Sequence, residues 1–362
     1  MEKIELKNNL LLWSDNNSYN WVITFKEITL TYISGIHPFT KKELSTSILN
    51  KILSLIKTTR GNWWVITLKS IKNYNKINVK ELQNIKNKVK LGSGKYATVY
   101  NYNNYAVKVI KHCDYDDFPD INGKVEAKIL KILKNEIVFN YKSPNIILIH
   151  QFIHCKTKDY IILEKVNKTL WKYLQERIED SIIFGIIFQV LFTLAILQEE
   201  FQGFRHNDIK IDNILLDCKN RKQDLTFKFK NKYWKINSNI PLVKISDFDY
   251  CNIPNKCKNL KVGTSFSKKF GCNLQSSKIY DVHLFLNSIY ISRSNQSTKI
   301  IKWLEKQLPL DIRGNNNDNV KYGRLKKPLQ WEKILSSPKD LLNDKIFSQF
   351  KTNKPEYPLW GI

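Results

Sequence analysis

Acidic side chains are scarce in this chain of 362 residues: 33 Asp and Glu face 59 Lys and Arg, a formal net charge of +26. Such a surplus favours phosphate-rich partners, an anionic membrane surface or acidic proteins. Also missing, however, is any dense basic run with interleaved arginine and aromatics. The positive charge is mostly Lys scattered among Asn and Ile, three residues with A/T-rich codons, so base composition accounts for it. Dedicated nucleic-acid binding finds no support in this pattern, and acidic protein substrates find only weak support.

Cysteine pairs are missing too. Cys113, Cys155, Cys218, Cys251, Cys257 and Cys272 form no CxxC and join no histidine at zinc spacing. That removes zinc ribbons and disulfide scaffolds and leaves free thiols in a reducing compartment. The opening "MEKIELKNNLLLWSDNN" has an early acidic residue and only a short apolar core, unlike a secretory signal, so a cytoplasmic setting is expected. Residues 181–198, "SIIFGIIFQVLFTLAILQ", lack charge altogether over a length that could cross a membrane. Gln189, Thr193 and Gln198 weaken that reading, and a helix apolar all round also suits the middle of a large domain.

What is present is 42% hydrophobic residues, enough for a large core in two or three domains or one two-lobed unit. Residues 1–84 read as an accessory N-terminal region without a chemical motif. They suggest a strand over 21–33, an amphipathic helix over 40–56 opened by Thr40 with Glu43 three residues later, and another strand over 61–71. From about residue 85 the texture becomes strand, Gly turn, strand. In "NKVKLGSGKYATVYNYNNYAVKVIK" the Gly-rich turn would let backbone N–H groups approach a phosphate, although a plain hairpin turn looks the same. Lys108 lies in an apolar strand, and a buried ammonium needs an acidic partner. Glu126, in the helix-like "GKVEAKILKIL", can supply it. "FRHNDIKIDNILL", residues 204–216, packs polar groups ahead of an apolar run, as a loop at a cleft edge does when it hands over to a short buried strand.

In this order, over roughly residues 88–285, these segments resemble the eukaryotic-type protein kinases. The resemblance implies an α+β, bilobal fold: a β-rich small lobe over 85–166 and a helical large lobe over 167–362. Within the large lobe, "DLTFKFKNKYWKINSNIPLVKI" alternates apolar and polar residues, as a β-hairpin insertion near 224–243 would. The resemblance also implies ATP and Mg²⁺ as cofactors and protein substrates as partners. Leu91, Gly92, Ser93, Gly94, Lys95, Tyr96, Ala97, Thr98 and Val99 would form the phosphate-covering loop. Lys108 would hold the α- and β-phosphates with Glu126 as its helix partner; in "YIILEKV" Leu163 would gate the adenine pocket, and the backbone of Glu164 and Val166 would bond the base. "HNDIKIDN" matches the catalytic loop: Asp208 would orient the attacking hydroxyl, Lys210 would neutralise the phosphoryl group, and Asn213 would hold Mg²⁺. "KISDFDY" matches the metal-binding segment, with Asp247 on Mg²⁺ and Phe248 in the core, and Asp281 of "IYDVHLF" would brace the catalytic loop. The uncharged 181–198 segment then takes the place of the central buried helix. A membrane span there would put Lys108 and Asp208 on opposite sides of the bilayer.

Four departures qualify the match. Ala97 replaces the third glycine of the loop. Asn207 replaces the arginine before Asp208, which predicts activity independent of phosphorylation in the activation segment. Asp249 stands where the family has a flexible glycine, and so would lock one conformation. The activation segment lacks its Pro-Glu anchor. The long interval between Asp208 and Asp247, with "FRHND", "DFD" and "IRGNNNDNVKYGRL" (312–325), is similar to a divergent kinase group of large cytoplasmic DNA viruses. Lys210 favours Ser/Thr over Tyr acceptors by the same resemblance. Two alternatives stay open: a small-molecule kinase of related fold, suggested by Asp249, and a catalytically silent binding module.

Overall fold

The computed structural model describes residues 3–7, 10–14, 20–60, 62–94, 97–112, 123–218, 223–264, 267, 272, 277–292, 295–353 and 359–362. The chain opens with an antiparallel sheet of β1 (Lys3–Lys7), β2 (Leu10–Ser14) and β3 (Asn20–Ile23). Helices α1 (Phe25–Ser34), α2 (Thr46–Arg60) and α3 (Asn62–Lys72) follow. Here three sequence expectations are corrected. The strand over 21–33 stops at Ile23, because Thr24 and Glu27 form a reciprocal capping box that starts α1. Thr40 and Glu43 open no helix; α2 begins at Thr46, after Ser45. The strand over 61–71 is helix α3, whose Trp64, Val65 and Leu68 are buried together on one helical stripe. Aromatic and β-branched composition argued for strand there, and packing on the rest of the protein overrode it.

The first lobe is a five-stranded antiparallel sheet in the order β4-β5-β6-β8-β7. Its strands are β4 (Lys90–Ser93), β5 (Ala97–Tyr102), β6 (Tyr105–Lys111), β7 (Ile149–His154) and β8 (Lys158–Glu164). One face carries helix α4 (Lys124–Leu133), extended by a π-helical turn over Lys134–Val138. On the sheet, Val107, Val109, Tyr160 and Ile162 pack with Ile77, Leu82 and Ile85. The Gln151 side chain stitches that seam, accepting from Tyr74 Oη at 2.6 Å and donating to Ile77 O at 2.9 Å.

The second lobe is built around helix α6 (Asp180–Glu200), reached through β9 (Lys168–Thr169) and the short helix α5 (Leu170–Tyr173). It is the one helix among the described residues long and apolar enough to cross a membrane, and 83% of that apolar window is buried inside the protein. Two of the polar residues that weakened the membrane reading, Gln189 and Thr193, are employed in the core, while the half-buried Gln198 donates to Lys278 O at 3.0 Å. Gln189 accepts from Asn145 Nδ2 at 3.0 Å and donates to Pro241 O at 2.9 Å, and Thr193 bonds Ser143 Oγ at 2.9 Å.

Strand β10 (Ile214–Asp217) buries Ile214 and Leu216, as the apolar run after the polar loop predicts. Next comes the hairpin of β11 (Leu225–Phe229) and β12 (Lys232–Ile236), then β13 (Leu242–Ile245), which returns antiparallel to β10. The hairpin is core rather than ornament: Phe227 meets Phe188 and Phe192 of α6 at 5.7 and 4.8 Å between centroids, and Trp234 meets Phe188 at 5.5 Å. It is widened by the end of the chain. After α7 (Tyr280–Ile291), α8 (Thr298–Gln307), the hairpin β14 (Val320–Lys321) and β15 (Arg324–Leu325), and α9 (Pro338–Leu341), strands β16 (Lys351–Thr352) and β17 (Leu359–Gly361) complete a four-stranded sheet β16-β12-β11-β17.

Both ends of the chain meet at Tyr141, a few residues past the π-helical turn. Its hydroxyl pairs with Thr29 Oγ1 and accepts from Trp64 Nε1 at 3.2 Å, while its carbonyl accepts from Gly361 N at 3.0 Å. The Arg60 guanidinium lies 4.3 Å from the ring centres of both Phe25 and Tyr141 and donates to Leu359 O. N-terminal helices, C-terminal strand and the segment after α4 therefore share one core cluster.

Candidate active site

The cleft chemistry starts from register. Val99 of β5 stands opposite Lys108 of β6, and Lys108 opposite Ile161 of β8, so the lysine sits mid-sheet where water cannot solvate it. Its ammonium is held by Glu126 Oε1 and Oε2 at 2.8 and 2.7 Å and by Asp247 Oδ1 at 2.6 Å. One cation thus serves two carboxylates. Burial pushes the Lys108 pKa down, but the charges of Asp247 and Glu126 outweigh it and leave the ammonium firmly protonated. Burial raises Glu126 to about 7 against the pull of Lys108, while Lys108 overcomes burial at Asp247 and holds its carboxyl below the usual range.

The polar loop 204–216 is pinned from below by α7. Asp281 accepts the backbone N–H of His206 at 2.7 Å and of Asn207 at 2.8 Å. The buried His206 ring donates from Nε2 to Ser246 O at 3.1 Å and accepts Asp208 N–H on Nδ1 at 3.3 Å; burial lowers its pKa and keeps it neutral. Asn207 has φ 65°, in the left-handed region, where Asn is among the least strained non-glycine residues. Its amide donates to Tyr250 O at 2.9 Å, tying the loop to the segment after Asp247. Arg205, two positions from the expected arginine, lies buried over the Tyr280 ring at 3.9 Å.

Asp208 and Asn213 are brought together. Asn213 Nδ2 donates to Asp208 Oδ2 at 2.9 Å and to its carbonyl at 2.8 Å, leaving the amide oxygen as the atom with lone pairs to offer a cation. Lys210 Nζ lies 3.4 Å from Asp208 Oδ1. The Asp247 side chain keeps 39% exposure, so its carboxylate also faces open space. Carboxylate and amide oxygens are the hard donors that suit Mg²⁺.

Over the cleft, Ser93 pairs with Thr98 and Gly92 with Val99, and Gly94 N donates to Ala97 O at 2.8 Å. A Cβ at Gly92 or Gly94 would meet no atom of the described residues within 4 Å, so both glycines face open space. Leu91 is exposed at the lip, Val99 and Val166 are half-buried, and Leu163 is buried. Glu164 N donates to Leu148 O, and its side chain is bound by the buried Lys244 at 2.9 Å. Lys95 and Tyr96 lie outside the described residues.

Sequence reasoning missed Arg324. From β15 its guanidinium pairs with the Asp208 carboxylate and donates to Asn207 O at 2.6 Å. The tight turn Tyr322–Gly323, both at positive φ, aims it, and Asn287 of α7 holds that turn through Gly323 O at 3.0 Å. In the sequence, segment 312–325 carries only a likeness to a viral kinase group and no signal for this contact. Asp249 is anchored: Lys261 Nζ bonds Oδ1 at 2.5 Å and Asn259 Nδ2 bonds its carbonyl at 2.7 Å. Of the activation-segment hydroxyls, Ser267 is buried and accepts from Gly263 N at 2.9 Å, and Thr264 donates to Lys261 O at 3.1 Å.

A family model described as "Protein kinase domain" matches residues 85–268, just over half of the chain. Two similar proteins of Acanthamoeba polyphaga mimivirus carry the name "Putative serine/threonine-protein kinase". R400 is 25% identical over 323 residues, covering 72% of this chain and 67% of its own length. R301 is 32% identical over 110 residues, covering 29% and 26%. Cyclin-dependent kinase 14 of Homo sapiens is 30% identical over 136 residues, covering 35% of this chain and 27% of its own. The chain therefore spans about two thirds of R400 and about a quarter of the other two.

Proposed function

The chain belongs to the protein kinase family, and from that premise we propose that it transfers the γ-phosphate of ATP to serine or threonine hydroxyls of proteins. One observation carries the reading: Lys108, Glu126 and Asp247 are assembled in direct contact, on the same cleft as Asp208 and Asn213. A silent module has no need to keep a buried lysine between two carboxylates, an arrangement costly to hold without use.

In this reading Lys108 would bind the phosphates of ATP, and the oxygens of Asp247 and Asn213 would hold Mg²⁺, which when bound would neutralise charge on the transferring group. Asp208 accepts and orients the substrate hydroxyl, while Lys210 offsets charge at the acceptor side. Asn213 keeps Asp208 in place through its amide, and Asp281 fixes the loop beneath both. Little covalent help is needed, because phosphoryl transfer is catalysed mostly by positioning and electrostatics.

Asp208→Ala is expected to abolish transfer of label from γ-labelled ATP to casein or a basic protein, with ATP affinity within a few fold of wild type. Phosphoserine or phosphothreonine made by wild type alone supports the reading. Normal turnover in the variant overturns the role of Asp208, and ATP binding without any transfer to protein favours the small-molecule or silent alternatives.

A pH dependence follows from the shared ammonium. Glu126, at about 7 in the folded protein against 4.5 ordinarily, takes up a proton between those values that the unfolded chain does not. That window therefore favours the folded state as pH falls and disfavours it as pH rises. Protonation also removes the Lys108–Glu126 ion pair, so kcat/KM should fall on the acid side with an apparent pKa near 7. A profile unchanged in Glu126→Gln would assign that limb to another group.

A further inference from the structure

A corner of the first lobe, away from the cleft, gathers groups that the kinase reading leaves without a task. His112 follows the end of β6, His154 ends β7 and Asp159 lies second in β8, so three strands deliver them to one point. We propose that His112, His154 and Asp159 bind one zinc-class divalent ion.

The hydrogen bonding points to a cation. His112 Nδ1 lies 3.2 Å from Lys156 O, and a carbonyl only accepts, so this nitrogen carries the proton. In the neutral ring Nε2 then presents its lone pair. That atom is buried, makes no hydrogen bond among the described residues, and stands 3.1 Å from Asp159 Oδ1. A lone pair facing a carboxylate is repulsive unless a positive centre lies between them. His154 Nδ1 approaches the same oxygen at 2.6 Å. The candidate ligand atoms all lie within 4.8 Å of one another. Tetrahedral ligands bound at about 2.0–2.1 Å stand roughly 3.3 Å apart, so modest side-chain rotations close the site. Two imidazoles and a carboxylate suit zinc, with water as the fourth ligand, and the bond from His112 Nδ1 to a carbonyl is the outer support that ligating histidines use.

The site reaches the helix that carries Glu126. Asp159 Oδ2 accepts Gly123 N–H at 2.7 Å, and Gly123 caps the start of α4. A Cβ at Gly123 would meet Ile110 Cδ1 at 2.9 Å and Asp159 Cβ at 3.4 Å, so helix start and carboxylate are in close contact. An ion on Asp159 therefore ties the ends of β6 and β7 to the first turn of α4.

The test is zinc uptake by the full chain stripped with EDTA, followed by equilibrium dialysis against ZnCl₂ and by the visible spectrum after Co²⁺ substitution. Wild type and Asp247→Asn, which alters the cleft oxygens instead, should each take up one equivalent at this site, with an intense tetrahedral cobalt band. His112→Gln and His154→Gln should each lose at least tenfold in affinity and lose the band. Absence of stoichiometric uptake by wild type, or uptake equal to wild type by a variant carrying both His112→Gln and His154→Gln, overturns the site in favour of a proton shared among the three side chains. Should His112→Gln fail to fold, His154→Gln carries the test alone, because its side chain is 45% exposed.

Discussion

Arg324→Ala is expected to lower kcat for phosphoryl transfer on the order of a hundredfold while leaving ATP affinity within a few fold, because the change misplaces one carboxylate and touches no nucleotide contact. Arg324 binds the Asp208 carboxylate and the Asn207 carbonyl at once. It thereby fixes both the side chain that, in the proposed function, would meet the acceptor hydroxyl and the backbone next to it. Without it, Asp208 keeps Asn213 on Oδ2 and the more distant Lys210 on Oδ1, and its plane is free to turn. Removing one of the three side-chain partners of a largely buried carboxylate should also cost about 1–3 kcal/mol of stability. Arg324→Lys should restore charge but little rate, since an ammonium cannot reach two acceptors with the geometry of a guanidinium fork. A folded Arg324→Ala protein with near-normal kcat, or a faster one, would show that the arginine restrains Asp208 instead of positioning it.

The contrast between Arg324 and Lys108 shows what the sequence could reveal. Lys108 with Glu126 was readable from the cost of burying an ammonium, Asp208, Asn213 and Asp247 only from the likeness of their segments to the kinases, and the structure brings each next to another. The hairpin at 225–236 was legible from alternation, yet not its task of covering α6 or its joining to β16 and β17. Arg324 reaches Asp208 from 116 residues away through a two-residue turn, and no periodicity encodes such a contact. The same holds for His112, His154 and Asp159, whose spacing resembles no zinc motif until three strands align. In the N-terminal region the signal was present but outvoted: Thr24 with Glu27 is a capping box, set among Ile, Thr, Val and Trp that favour strands. Tertiary packing of Trp64 and Leu68 decided α3.

Trp64→Ala is expected to destabilise the protein by about 3–5 kcal/mol, seen as a lower urea midpoint at unchanged slope, because it empties the largest side chain from a closed aromatic knot. Trp64 is fully buried, stands 5.4 Å from Trp360 and 5.9 Å from Tyr141 between centroids, and donates to the Tyr141 hydroxyl. Trp64→Phe keeps most of the volume and loses that hydrogen bond, so its cost should stay near 1–2 kcal/mol. The consequence extends to the cleft. Tyr141 follows α4 and its π-helical turn, and α4 holds Glu126 against Lys108. If the N-terminal helices and β17 brace that element, Trp64→Ala should lose rate even at temperatures where it remains folded, and Trp64→Phe should not. With Asn207 bound to Tyr250 and Ser267 buried, such a brace would do in cis what the kinase resemblance assigns to phosphorylation of the activation segment. A Trp64→Ala protein of normal stability and rate would reduce residues 1–84 to an appendage and leave the position of α4 to the lysine–glutamate pair alone.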